Sequence, residues 1–221
     1  MDKKSIINEL FNIKDKIAMI TGGGSGIGKT ITEVLAFSGS KVYITSRKLE
    51  AIQKTSLEIN AKNPRHKVEY FCSDLSSEMG IEKLVRHFEK KEEHLDILIN
   101  NSGVSWGAPL GEFPYHAWDK VMKVNVTALF HLTQCLLPKL ASKASLAYPS
   151  RIINIGSVMG TAALADGPYS YSASKAAVHQ ITRILAKELA RQKITVNALA
   201  PGPFLSRMTE FAVGNKEKER K

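Results

Sequence analysis

The chain has 221 residues, 43% of them hydrophobic and 24% charged, which suits one globular domain and excludes a disordered or fibrous protein. No apolar run reaches the roughly eighteen residues a bilayer-spanning helix needs, and the stretch MDKKSIINELFNIKDK has neither the apolar region nor the cleavage site of a secretory leader. The net charge of +10 comes from lysines interleaved with glutamates, as in HFEKKEEH, without the aromatic-spaced basic stripe of single-strand binders, so it reads as solvated surface rather than a nucleic-acid face.

In chain order, KIAMIT at 16–21 is a short apolar run that predicts a buried strand. A helix over 26–38 follows, with Ile27, Ile31, Val34 and Leu35 on one side and Gly39 placed for a left-handed cap. A second strand is predicted at 41–45, a second helix at 49–61 ahead of Asn63-Pro64, and a third strand at 66–71. Ile81, Leu84, Val85 and Phe88 mark an amphipathic helix, and 95–99 is an apolar strand followed by a glycine-bearing loop to Pro114. Val121, Val124, Ala128 and Leu132 place a long helix ending near Leu140. A strand at 151–155, a helix through Tyr171 to about Arg191 and a strand at 194–199 complete the pattern. Six alternations of apolar strand and amphipathic helix predict an α/β fold with a doubly wound parallel sheet of the Rossmann type, in a single domain. Cys72 and Cys135 have no paired spacing, so they read as free thiols of a cytoplasmic protein.

In such a sheet, ligands bind outside the carboxyl ends of the strands, and the unusual residues of this chain fall there. TGGGSGIG at 21–28 follows the first strand and opens a helix. Its glycines permit a tight turn, and they also allow a pyrophosphate to approach the free N–H groups of the next helix. After the second strand, where a dinucleotide fold usually places an acid for the ribose 2′-hydroxyl, stands Arg47. Its planar fork of donors suits a 2′-phosphate and predicts NADP over NAD, the alternative being a surface arginine at a helix start. Asp74 follows the third strand, either to accept from an adenine amine or to cap the next helix. Asn100, Asn101, Ser102 and Gly103 follow the fourth strand, Ser157 the fifth, and Pro201 and Gly202 the sixth. Tyr171 and Lys175 stand four residues apart, which stacks phenol and ammonium on one helix face. A nearby cation would pull the phenol pKa down from about 10 towards neutrality and make it a usable proton donor and acceptor. A surface tyrosine lying along a lysine stem is the alternative.

Taken together, TGGGSGIG at 21–28, NNSG at 100–103, Asn125 in KVNVT, Ser157, YSASK at 171–175 and NALAPG at 197–202 resemble the single-domain short-chain dehydrogenases/reductases over about residues 14 to 205. The resemblance implies catalysis by Asn125, Ser157, Tyr171 and Lys175. Tyr171 would protonate a carbonyl or deprotonate an alcohol, Lys175 would bind the nicotinamide ribose and depress the Tyr171 pKa, and Ser157 would orient the substrate oxygen. Asn125 would hold a water in a proton relay. The resemblance also implies an NADP site formed by Gly22, Ser25, Gly26, Ile27, Gly28, Arg47, Asp74, Leu75, Asn101, Gly103, Tyr171, Lys175, Pro201 and Gly202. No metal is expected, because hydride passes directly between nicotinamide and carbon.

The pattern differs from the usual family form in three places, of which Arg47 fits the NADP-using branch of the family. Ser102 stands where the Asn-Asn-Ala-Gly motif has alanine. The ending PGPFLSRMTEFAVGNKEKERK is too short for the family's further helix and seventh strand, and 208–221 reads as a frayed charged tail. The expected function is therefore NADPH-dependent oxidoreduction of a ketone or 3-oxoacyl compound, with no nucleic-acid or membrane partner. A cofactor-binding or interaction protein of weak activity is the alternative. PGPFLSRMT resembles 3-oxoacyl-carrier-protein reductases, and the loop with Trp106, Phe113 and Trp118 either lines an apolar pocket or packs on itself. The helices around Asn125 and Tyr171 resemble those through which the family forms dimers and tetramers.

Overall fold

Strand β1, Ile17–Thr21, is buried at every position because its side chains alternate between two covered faces. Met19 enters an apolar cluster on one side of the sheet, while Ala18 and Ile20 enter another on the opposite side. The computed structural model describes residues 11–162 and 167–202. Around β1 lie β2 (Lys41–Ser46), β3 (Glu69–Cys72), β4 (Ile97–Asn100), β5 (Ser150–Ile155) and β6 (Ile194–Leu199), all parallel, in the order β3-β2-β1-β4-β5-β6. The order reverses between β1 and β4, and this opens the crevice in which α/β sheets bind ligands. The doubly wound parallel sheet expected from the apolar alternation is thus present, with six strands among the described residues. The segments that were expected to fray or to lack a seventh strand lie outside those residues.

Helices α1 (Gly26–Phe37) and α2 (Leu49–Ala61) cover one face through Ala36, Ile52 and Ile59. The other face is covered by α3 (Glu78–Glu89), α5 (Ala128–Ser142) and α6 (Tyr169–Leu189), which contribute Phe88, Leu132, Leu136, Leu185 and Leu189. Gly39 closes α1 with φ +89°, the left-handed conformation expected of it.

Two elements differ from the periodicity. Strand β3 starts at Glu69 rather than 66, because the residues before it are tied elsewhere. The Val68 N–H donates to Asn60 Oδ1 (2.8 Å) and the Val68 carbonyl accepts from Ser56 Oγ (2.7 Å), both on α2, while His66 reaches Asp15. The single long helix predicted from Val121 to Leu140 is instead α4 (Tyr115–Met122), a π-helical turn (Lys123–Thr127) and α5. The Ala128 N–H reaches back five residues to the Lys123 carbonyl. One extra residue in that turn shifts the helical face and turns Asn125 into the interior, where it is 2% exposed.

Candidate active site

The glycine loop between β1 and α1 is shaped by contacts that exclude side chains. Gly22 and Gly26 have φ of +68° and +52°. A Cβ on Gly28 would lie 2.3 Å from the Gly22 carbonyl oxygen and 2.4 Å from Asn101 Nδ2, so backbone and helix start can meet only through glycine. Ser25 is the N-cap of α1 but makes no side-chain capping bond, so no side chain occupies the first-turn N–H groups of Ile27 and Gly28 among the described residues. Thr21, which sequence reasoning did not single out, braces this loop from below. Its Oγ1 accepts from the N–H groups of Asn101 and Ser102, each at 2.9 Å. Asn101 in turn donates through Nδ2 to the carbonyls of Thr21 (2.9 Å) and Gly22 (3.2 Å). The Asn101 amide therefore pins the glycine loop to the end of β4.

Arg47 is exposed beyond β2, and Asp74 lies beyond the neighbouring β3. Asp74 is not a helix cap. Its Oδ1 accepts from the Ser76 N–H (3.0 Å) and hydroxyl (2.8 Å), whereas Ser77 caps α3. Burial works to raise the Asp74 pKa, but the Ser76 bonds and the nearby Arg47 charge outweigh it and hold the carboxyl below its usual range. Leu75 is buried and borders a small cavity with Thr21, Asn100 and Ser102.

On α6, Tyr171 and Lys175 share a face as their spacing requires, with Lys175 Nζ 5.5 Å from the Tyr171 ring centre. Lys175 is 4% exposed, and its Nζ donates to the Ile155 carbonyl at the end of β5 (2.6 Å). Burial pushes its pKa down to about 8. The Tyr171 phenol behaves opposite to the sequence expectation. Burial raises its pKa and only the Ser157 side chain pulls it back, because Lys175 directs its ammonium at a carbonyl rather than at the phenol oxygen.

Ser157 begins the short 3₁₀ turn Val158–Gly160, and its Oγ accepts from the Met159 N–H. That turn is held against β6 by the Val158 N–H, which donates to the Pro201 carbonyl (3.1 Å), while Gly202 is exposed beside it. Asn125 grips the loop after β4 with both ends of its amide. Oδ1 accepts from the Val104 N–H (2.8 Å), and Nδ2 donates to the Val104 carbonyl and to Ser174 Oγ on α6 (2.9 Å each). A Cβ on Gly103 would sit 3.4 Å from Asn125 Oδ1 and 3.6 Å from Lys175 Nζ, so β4, the π turn and α6 converge at that glycine. Tyr169, two residues before Tyr171, turns instead to the loop aromatics. It lies edge-on to Phe113 (5.7 Å), which meets Trp118 (6.3 Å), while Trp106 packs on His116 and under Lys120. Of the two readings of this loop, packing on itself is the one observed.

The sequence profile of the short chain dehydrogenase family matches residues 16–217. This chain belongs to that family. Among its relatives is a rhamnolipids biosynthesis 3-oxoacyl-[acyl-carrier-protein] reductase of Pseudomonas aeruginosa, 45% identical over 207 residues, which span 94% of this chain and 80% of the relative. An uncharacterized oxidoreductase of Staphylococcus saprophyticus is 33% identical over 193 residues, 87% of this chain and 80% of its own length. Among solved structures, the P. aeruginosa RhlG/NADP active-site complex superposes with a TM-score of 0.89 at 43% identity, covering 94% of this chain and 80% of that one. In this short-chain dehydrogenase/reductase, the glycine loop, the π turn and the start of α6 meet at the carboxyl ends of β1, β4 and β5. The six-stranded sheet brings there residues that lie up to about 150 positions apart in the chain.

Proposed function

We propose that this short-chain dehydrogenase/reductase uses NADPH to reduce the keto group of a 3-oxoacyl thioester or a related ketone, with Tyr171 supplying the proton. The observation that carries this reading is the convergence of Tyr171, Lys175, Ser157 and Asn125 on one crevice, beside a glycine loop that admits no side chain at Gly28. The residues fit the cofactor: the N–H groups at the start of α1 suit the pyrophosphate, and Arg47 suits a 2′-phosphate. When bound, the nicotinamide supplies the hydride. Tyr171 holds the proton for the carbonyl oxygen, and its raised pKa keeps it protonated at neutral pH, which favours reduction. Ser157 orients that oxygen. Lys175, whose ammonium lies 5.5 Å from the Tyr171 ring, would hold the ribose hydroxyls of the cofactor. Both Nδ2 protons of Asn125 are committed, to Val104 and Ser174, while Oδ1 accepts only from the Val104 N–H, so a water of a proton relay would meet Asn125 at an oxygen rather than at its amide nitrogen.

The substrate class rests on the likeness to the P. aeruginosa reductase. We also assign the protein to the cytoplasm and to a homo-oligomer, a dimer or tetramer, built on the faces that expose Phe130 of α5 and Ile184 of α6. Among the described residues, no helix is long and apolar enough to cross a membrane.

Fluorescence titration with NADPH and NADH, followed by NADPH oxidation with 3-oxoacyl thioesters and simple ketones, tests the reading. NADPH is expected to bind at least about tenfold more tightly than NADH, and Arg47→Ala to remove most of that preference, as expected for a lost charged hydrogen bond. An unchanged preference in Arg47→Ala would take the 2′-phosphate away from Arg47. NADPH binding without turnover of any ketone would leave only a cofactor-binding protein.

A further inference from the structure

His179 lies two turns beyond Tyr171 and one beyond Lys175 on α6, and it is 8% exposed. Its Nε2 accepts from the Ser157 N–H at 3.4 Å. An acceptor at Nε2 requires the neutral ring with its proton on Nδ1. The ring sits in a socket made by the two glycines that bracket the Ser157 turn. A Cβ on Gly156 would meet Nε2 at 2.1 Å, and one on Gly160 would meet Cε1 at 2.8 Å. Ser157 is thus held on its backbone side by an imidazole and on its other side by the Val158 bond to Pro201.

Resting on the reductase reading above, we propose that neutral His179 is a positioning residue for Ser157, and that its protonation disengages Ser157 from the site. In the protonated ring both nitrogens are donors, so Nε2–H would confront the Ser157 N–H and the turn must move, taking Oγ with it. The charged groups facing His179 are Lys175 and Arg183, both on its own helix and both cationic. The Gly156–Gly160 turn and β6, which pack against the ring, present no titratable side chain among the described residues. Nothing there stabilises an imidazolium. Burial foremost, then the two cations, hold the His179 pKa below its ordinary value, so the switch falls on the acid side of neutrality.

The test compares the whole protein with His179→Gln, whose amide oxygen accepts without titrating, and with His179→Phe, which fills the socket without an acceptor. The Ser157 amide resonance, followed by NMR against pH, is expected to shift with the same inflection as the His179 ring. In His179→Gln that inflection should be absent. With a ketone substrate and saturating NADPH, the wild-type kcat should fall at acid pH with that inflection, and His179→Gln should lose that limb. His179→Phe should lower kcat at neutral pH by about three- to tenfold, the range of one neutral hydrogen bond, with NADPH binding unchanged. A Ser157 amide that ignores the His179 titration, or an acid limb identical in wild type and His179→Gln, overturns the proposal. Should the wild type reduce no ketone, the reductase reading fails on its own, and the amide titration still decides whether His179 holds Ser157. Should His179→Phe fail to fold, His179→Gln carries the comparison.

Discussion

Tyr171→Phe is expected to lower kcat for ketone reduction by about a thousandfold, within the ~10²–10⁴ range of general acid catalysis, while NADPH affinity changes by less than about twofold. The substitution removes one oxygen and leaves the ring in place over the Lys175 ammonium. In the structure that oxygen lacks a cation bonded to it, and burial keeps the phenol protonated near neutrality. Tyr171 is therefore poised as a donor, and alcohol oxidation, which needs the phenolate, should rise with pH while reduction does not. Steady-state kinetics in both directions, paired with cofactor titration, check both statements. A variant that keeps its turnover would remove Tyr171 from the proton-transfer step.

Lys175→Met should abolish turnover and yet make the cofactor-free protein more stable. The ammonium is buried with one carbonyl partner, and burial holds its pKa to about 8 against an ordinary 10.5. Keeping it charged at neutral pH costs about 3 kcal/mol, against roughly 1 kcal/mol lost when the hydrogen bond to Ile155 is removed. A net gain of about 2 kcal/mol corresponds to a Tm increase of about 5 °C for a domain of this size. The sign follows from proton binding. Between about pH 8 and 10.5 the unfolded chain holds more protons than the folded one, so this residue's contribution to stability rises with pH through that window. Thermal unfolding of both proteins from pH 7 to 10.5 should show the gap between them closing as pH rises. An equal or lower Tm in Lys175→Met at pH 7 would mean that the ammonium is not strained by burial. Such a residue is kept for its charge in the active site, at the expense of the fold.

The amino-acid sequence alone determined the class of fold, the strand and helix alternation, and the places where chemistry sits. Buried strands must be apolar, and amphipathic helices must repeat every 3.6 residues, so β1, β4 and α3 are visible in the order of the residues. Tyr171 and Lys175 share a face because four residues nearly complete a helical turn. Gly22, Gly26 and Gly28 were legible for a similar reason, since only glycine tolerates their dihedrals or their close contacts.

What only the tertiary structure decided depends on residues distant in the chain. The π turn at Lys123–Thr127 leaves no mark in apolar spacing, because one extra residue in a helix is defined by what Asn125 then meets: Val104 before it and Ser174 beyond. The late start of β3 was hidden because Asn60 and Ser56 compete for the Val68 backbone. Thr21 and Asn101 brace the glycine loop across β1 and β4, a contact over 80 residues of chain that no local pattern encodes. The direction of the Tyr171 pKa likewise depended on where the Lys175 ammonium points. Spacing brings two groups to one helix face, but burial and the nearest acceptor, here the Ile155 carbonyl, decide which of them the charge serves.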